Sequence, residues 1–322
     1  MVGDHAVYSH DTSALLHRVE SQYRCAPRWY TCPVSRLIVN ADDFGLTSGV
    51  NRAIVELHQA GVLTSTTLMA RAAATEPAIA LALQNPSLGV GCHIVLVDGE
   101  PVLPPRKIPT LIDSRTGCFP PKLTTFLSRL FTGRIRSAEI EAEAAAQVAL
   151  LQHRGLRLTH VDTHKHAHMF PAVLRPVLRA AAKAGIHAVR NPFEPEWAVR
   201  ASPRASIVRS AEVFALRRFG PYFRRILSEE GLSTTDGTIA VAATGVVNAD
   251  TVRSLLQQLP SGTWELVTHP GYNDADLDKI QTRLRESRDI ERNALHAIRE
   301  FPAVDLISFA ALNPSPEESK VV

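Results

Sequence analysis

Two adjacent acids, Asp42 and Asp43, close the apolar run Leu37-Ile38-Val39, and reactive residues recur at the ends of later apolar runs. His93 follows Val90-Gly91-Cys92, Arg190 follows Ala188-Val189, and His269 follows Leu266-Val267-Thr268. Residues 160–168 read HVDTHKHAH, which sets His160, Asp162, His164, His166 and His168 at alternate positions. Neutral imidazole with carboxylate suits Zn²⁺, Fe²⁺ or Ni²⁺. Two histidines and one carboxylate leave coordination positions open for water, as a catalytic site requires. Neighbouring strand side chains diverge, so Asp42 and Asp43 can serve one site only if the backbone turns, which Phe44-Gly45 allows. One acid would then bind a metal and the other handle a proton. Arg190, if it faces Asp42, would orient that carboxylate and depress its pKa. His269, ahead of Pro270-Gly271, reads as a general acid for a leaving amine. His93 taken alone reads as a satisfied core histidine or a surface one.

These residues need a scaffold that gathers strand ends. Val50, Ile54 and Leu57 recur at helical spacing, with Gly61 as a stop. Strands are expected at 64–69, 88–95, 158–163, 186–189, 264–268 and 304–309. Helices are expected at 75–83, 137–154, 171–184, 207–230 (broken at Gly220-Pro221), 249–259 and 277–300. In the 137–154 helix Ile140, Ala144, Val148 and Leu151 form one stripe, and Glu139, Glu141 and Glu143 sit where the helix dipole favours acids. In the 277–300 helix Ile290, Ala294 and Ile298 stack at intervals of four. Residues 98–121 hold six prolines and read as a long loop that shapes a substrate site. Such alternation predicts an α/β fold of one domain, a distorted TIM-like (β/α) barrel whose reactive residues share the C-terminal rim of a parallel sheet. His160, Asp162 and His164 would face its lumen.

Bulk composition narrows the function. The 322 residues carry a net charge of +3 and 6% aromatics, which argues against nucleic-acid binding. Cys25, Cys32, Cys92 and Cys118 form no C-x-x-C pair, so free thiols in a reducing, cytoplasmic setting are expected. Residues 1–34 lack the apolar core of a secretory signal and read as a disordered or loosely docked extension. Residues 35–312 are the expected barrel, and 313–322 read as a disordered tail. No run of eighteen apolar residues appears, so no membrane span is expected. Arg217, Arg218, Arg224 and Arg225 interleave with Phe219, Tyr222 and Phe223, which reads as an amphipathic helix on the barrel exterior. The sharper reading is a peripheral membrane contact.

At these motifs the chain resembles the YdjC-like family of carbohydrate deacetylases. The matching stretches are 39–45 (VNADDFG), 61–67 (GVLTSTT), 89–93 (GVGCH), 159–168 (THVDTHKHAH) and 269–271 (HPG). The resemblance implies one divalent ion, Mg²⁺ or Zn²⁺, held by Asp43, His93 and His164. It implies Asp42 as the catalytic base and His269 as its acid. Residues 95–105, 164–166 and 188–192 resemble the hopanoid-biosynthesis HpnK subgroup, from which the long leader departs. The implied reaction is hydrolysis of an N-acetyl group on an N-acetylglucosamine-type sugar, free or lipid-linked. A homodimer is compatible with this. Two other classes remain open: a metal-dependent phosphoester or cyclic-amide hydrolase on a similar barrel, and a non-catalytic sugar-binding protein.

Overall fold

Ten consecutive residues, Ser35–Phe44, form β1, and eight of them are buried because strands flank it on both sides. The structure, a computed structural model, describes residues 35–202 and 206–313. The expected N-terminal extension and the expected tail beyond Asn313 lie outside the described residues. Around β1 the strands β2 (Ser65–Leu68), β3 (Gly89–Ile94), β4 (Val161–Thr163), β5 (Gly237–Ile239), β6 (Gly262–Thr268) and β7 (Asp305–Leu306) are parallel. Their order is β4-β3-β2-β1-β6-β5, with β7 also paired to β1. Single parallel bridges, Val161–Val189 and Ala188–Ser233, continue the curl beyond β4. The result is a curled half-barrel of α/β type, the distorted (β/α) barrel that the alternation predicts.

Helices α1 (Ser48–Gln59), α2 (Thr75–Gln84), α3 (Leu123–Phe131), α4 (Ser137–His153) and α5 (Pro171–Lys183) fill the first half. α6 (Glu196–Ala201), α7 (Ile207–Leu216), α8 (Gly220–Glu230), α9 (Ala249–Gln257) and α10 (Ser287–Ala294) follow. Thr47 caps α1 by accepting from Val50 N at 3.2 Å, a standard start for a helix. Leu37, Val39 and Ala41 on β1 join the large apolar core. Ile38, on the other face, packs with Ala188 and Phe309 in a separate cluster.

Several elements differ from the sequence expectation, among them the strands expected at 158–163 and 304–309, which shorten to Val161–Thr163 and Asp305–Leu306. The 186–189 stretch makes only single bridges, Val189 with Val161 and Ala188 with Ser233. The 277–300 helix is broken into 3₁₀ turns at Leu277–Lys279 and Leu295–Glu300 around α10. Ile290 is 54% exposed, whereas Ser287, Arg288 and Glu291 are buried. The inward face of α10 is polar where Arg288 and Glu291 meet Asp43 and His269, and apolar at Ala294, which joins the core. Glu139 and Glu143 do more than complement a helix dipole. Glu143 accepts from Val102 N and Leu103 N at 2.7 and 3.0 Å, and Glu139 accepts from Thr110 N at 2.7 Å. With Gln147, which bonds both backbone groups of Val95, they staple the proline-rich segment to α4. The arginine–aromatic segment is amphipathic as expected, with Phe223, Ile226 and Leu227 buried and Tyr222 exposed.

Candidate metal centre

A bulge in β1 delivers both acids to one place. Ala41 pairs with Thr66 and Phe44 with Leu68, so β1 carries one residue more than β2 over this span. A bulge re-aims side chains that a regular strand would send to opposite faces. The turn falls on Asp43 itself, at φ 66°, a region that non-glycine residues rarely adopt. Gly45 follows at φ 93°, and its N–H donates to Asn51 Oδ1 at 2.7 Å. The expected turn at Phe44-Gly45 therefore begins one residue early.

His93 and Asp162 are register partners across β3 and β4, so their side chains share the inner face. His93 Nδ1 lies 2.7 Å from Asp162 Oδ1. A carboxylate there holds the proton on Nδ1 and leaves Nε2 with its lone pair forward. That Nε2 is 3.7 Å from Asp43 Oδ1 and 3.1 Å from His164 Nδ1, and His164 Nδ1 is 3.5 Å from Asp43 Oδ1. Ligand atoms about 2.1 Å from a tetrahedral ion stand about 3.4 Å apart, so this triangle fits one cation. A second trio, Asp42, His93 and Asp162, is also close. Both of its acids are engaged by the Arg190 guanidinium, which would repel a cation there.

Arg190 is fully buried and meets three acids. Its Nη1 and Nη2 donate to Asp42 Oδ2 and Oδ1 at 2.8 and 2.6 Å, its Nε to Glu265 Oε1 at 2.8 Å, and Nη1 also to Asp162. Thr67 and Asn40 donate to Asp42 Oδ1 at 3.2 and 3.1 Å. Burial would raise Asp42, but Arg190 and then His93 outweigh it and hold the carboxyl far below its usual range. Asp43 is likewise held well below that range: burial opposes, and Arg288 and His164 prevail. Burial lowers His93, yet Asp162 reverses this and raises it to about 9, so a cation binding at Nε2 would have to displace a proton there. Burial pushes Glu265 up to about 7 despite Arg190. His269 stands over the same group, its Nε2 3.7 Å from Asp42 Oδ2 and its Nδ1 3.9 Å from Glu291 Oε2.

The histidine tract divides. Only His164 joins the metal triangle. His160 lies beneath it, stacked on Phe309 with ring centroids 3.8 Å apart. His160 also crosses Gly91, where a Cβ would come within 2.5 Å of the ring. After His164 the strand period fails, since Lys165 and His166 have φ 57° and 51°. His168 then turns back. Its Nε2 meets Arg190 O at 3.1 Å and its Nδ1 meets Thr163 Oγ1 at 2.8 Å. A carbonyl only accepts, so Nε2 carries the proton and His168 braces the backbone at Arg190 as a neutral ring.

Three contributors escape the sequence reading. Glu265 sits inside β6 and shares the lumen with Val267 and His269. Arg288 and Glu291 come from α10. Arg288 Nη2 donates to Asp43 Oδ2 at 2.5 Å, and Glu291 Oε2 accepts from His269 N at 2.7 Å. The available signal was the i, i+3 spacing of two charges in line with Leu295 and Ile298 on the inward face of the helix.

A family model described as YdjC-like protein matches residues 36–300. A carbohydrate deacetylase of Thermoanaerobacter pseudethanolicus is 31% identical over 259 residues, covering 80% of this chain and 90% of its own length. A carbohydrate deacetylase of Geobacillus stearothermophilus is 34% identical over 277 residues, 84% of this chain and 96% of its own. The crystal structure of a candidate cellobiose-phosphate cleavage protein from Enterococcus faecalis V583 is similar with a TM-score of 0.69 at 25% identity, covering 87% of this chain and 100% of that one.

Proposed function

The chain belongs to the YdjC-like family, and on that premise we propose that it is a carbohydrate deacetylase that removes an N-acetyl group from an N-acetylglucosamine-type sugar with one divalent cation, Zn²⁺ or Mg²⁺. The observation that carries this is the triangle of Asp43, His93 and His164 set beside Asp42 and His269.

An amide resists hydrolysis because its carbonyl is a weak electrophile and its amine a poor leaving group. A cation held by Asp43, His93 and His164 would supply Lewis acidity for the carbonyl and would acidify water. Asp42 is the proton acceptor. Arg190 keeps it ionised and fixes its plane through two hydrogen bonds, and Thr67 and Asn40 hold Oδ1. That leaves Oδ2, on the His269 side, as the oxygen with spare accepting capacity. His269 delivers a proton to the departing nitrogen. Glu291 fixes its backbone and faces Nδ1, which orients the ring over Asp42. Asp162 holds His93 in the ligating tautomer.

The two-metal alternative is disfavoured, because the second acid–imidazole trio among the described residues is already neutralised by Arg190. A hopanoid-linked substrate is the finer reading. It rests on the subgroup likeness of residues 95–105, 164–166 and 188–192, and it would place the protein in the cytoplasm against a membrane surface. No helix among the described residues is long and apolar enough to cross a membrane. Acetate release from a panel of N-acetylglucosamine conjugates, including a lipid-linked one, with and without a chelator, tests the whole reading. Release that chelation stops and Zn²⁺ or Mg²⁺ restores is expected. Release indifferent to chelation would remove the metal from the mechanism, and no release from any conjugate would remove the substrate class.

A further inference from the structure

Arg288 stands behind Asp43 and has no part in the chemistry above. It is 1% exposed, and its Nη2 donates to Asp43 Oδ2 at 2.5 Å. The opposite oxygen, Oδ1, is the one that faces His93 Nε2 and His164 Nδ1. The carboxylate is therefore divided, one oxygen to the guanidinium and one to the imidazoles. A carboxylate free of such a partner can ligate a cation through one oxygen or through both.

The neighbouring turn is built around this arginine. A Cβ on Gly271 would lie 3.0 Å from Arg288 Cδ and 3.3 Å from its Cβ. Gly271 N also donates to Arg288 O at 3.3 Å. The glycine of the His269-Pro270-Gly271 motif thus leaves room for Arg288 to pass. Arg288 Nε and Nη1 are buried without a hydrogen-bond partner. Such a group is unfavourable for stability, so a stability role alone does not explain its placement.

We propose that Arg288 is a positioning residue that keeps Asp43 a one-oxygen ligand, so that the cation is held by three protein atoms and the remaining coordination sphere stays free for water and substrate. This rests on the metal-dependent reading given above. Occupying Oδ2 prevents the carboxylate from closing over the ion. The adjacent positive charge also limits how far Asp43 neutralises the cation, which preserves its Lewis acidity.

The test uses Co²⁺ as the probe in the full chain, because its visible absorption weakens as coordination number rises. Wild type, Arg288→Met, Arg288→Lys and Gly271→Ala are compared by Co²⁺ spectrum, by Co²⁺ affinity against a chromogenic chelator, and by acetate release. In Arg288→Met the freed Oδ2 is expected to join Oδ1. The band then weakens, Co²⁺ is bound at least as tightly as in wild type, and kcat falls about 10- to 100-fold, as for other outer-shell changes. Gly271→Ala, whose added methyl presses on Arg288 Cδ at 3.0 Å and on Val50 Cγ2 at 3.1 Å, is a milder change expected to move the band in the same direction. Arg288→Lys, which keeps a cationic donor, recovers the wild-type band. Should Arg288→Met fail to fold, Gly271→Ala and Arg288→Lys carry the same comparison. An unchanged band with weakened Co²⁺ binding in folded variants would make Arg288 a structural prop and overturn the proposal alone. A wild-type protein that binds no Co²⁺ would overturn the metal reading with it.

Discussion

Arg190 grips Asp42 with both terminal nitrogens, at 2.8 and 2.6 Å, while its Nε holds Glu265 at 2.8 Å. One guanidinium thus serves the expected base and two further buried acids, since Asp162 also meets it. Lysine offers a point charge but no planar fork. One ammonium cannot serve all three acids, so Arg190→Lys should leave buried carboxylate oxygens short of hydrogen bonds and cost about 1–3 kcal/mol, read as a lower urea midpoint. With the guanidinium gone, the Asp42 carboxyl rises toward its ordinary range, so the acidic limb of the activity profile should move to higher pH. A midpoint and an acidic limb that both stay at wild-type values would argue against this role.

Asp42→Asn keeps the shape of the side chain and removes its basicity. Activity should fall about 10²- to 10⁴-fold, the usual range for a positioned acid or base, with bound metal unchanged by elemental analysis. His93→Ala and His164→Ala should instead lose the metal itself. Near-normal turnover in Asp42→Asn would mean that another group takes the proton.

His269→Gln should slow amide substrates far more than activated esters, because only a poor leaving group needs a proton from the enzyme. The comparison uses an N-acetyl sugar and an aryl acetate on the same preparation. Equal losses on both substrates would assign His269 to binding rather than proton donation.

Gly91→Ala places a methyl where the His160 ring already lies, with the nearest ring atom 2.5 Å from the added carbon. Overpacking of this kind costs about 1–3 kcal/mol, so the melting temperature should drop. A variant that melts with wild type would show that the His160–Phe309 stack shifts without penalty.

Acid should destabilise the fold in a particular window. Burial lowers His160 to about 3 and His168 to about 4, from an ordinary value of 6.5. Below pH 6.5 the unfolded chain binds protons that these native rings refuse. Each ring's contribution is therefore complete above 6.5 and is lost as pH falls toward its folded value. The loss is about 1.4 kcal/mol per histidine for each pH unit. Urea midpoints measured between pH 7 and 4.5 should show this decline, and His168→Gln should flatten part of it.

Residue types and their intervals were enough to single out one cluster of side chains. Acids and imidazoles at the ends of apolar runs identify a metal-capable rim on a parallel sheet, and Asp42, Asp43, His93, His164, Arg190 and His269 do converge there. That information is local: a strand's period of two and its terminus can be read along the chain. The period could not say that β1 bulges, because a bulge is decided by pairing with β2, and so the turn at Asp43 came only with the fold. It could not separate His160 from His164, since one meets Phe309 from the C-terminal segment and the other meets Asp43. Nor could it reveal Arg288 and Glu291, more than 200 positions from Asp43, whose charges look solvated on a polar helix until that helix is packed. Which charged side chains are buried, and against whom, depends on long-range contacts that only the tertiary structure supplies.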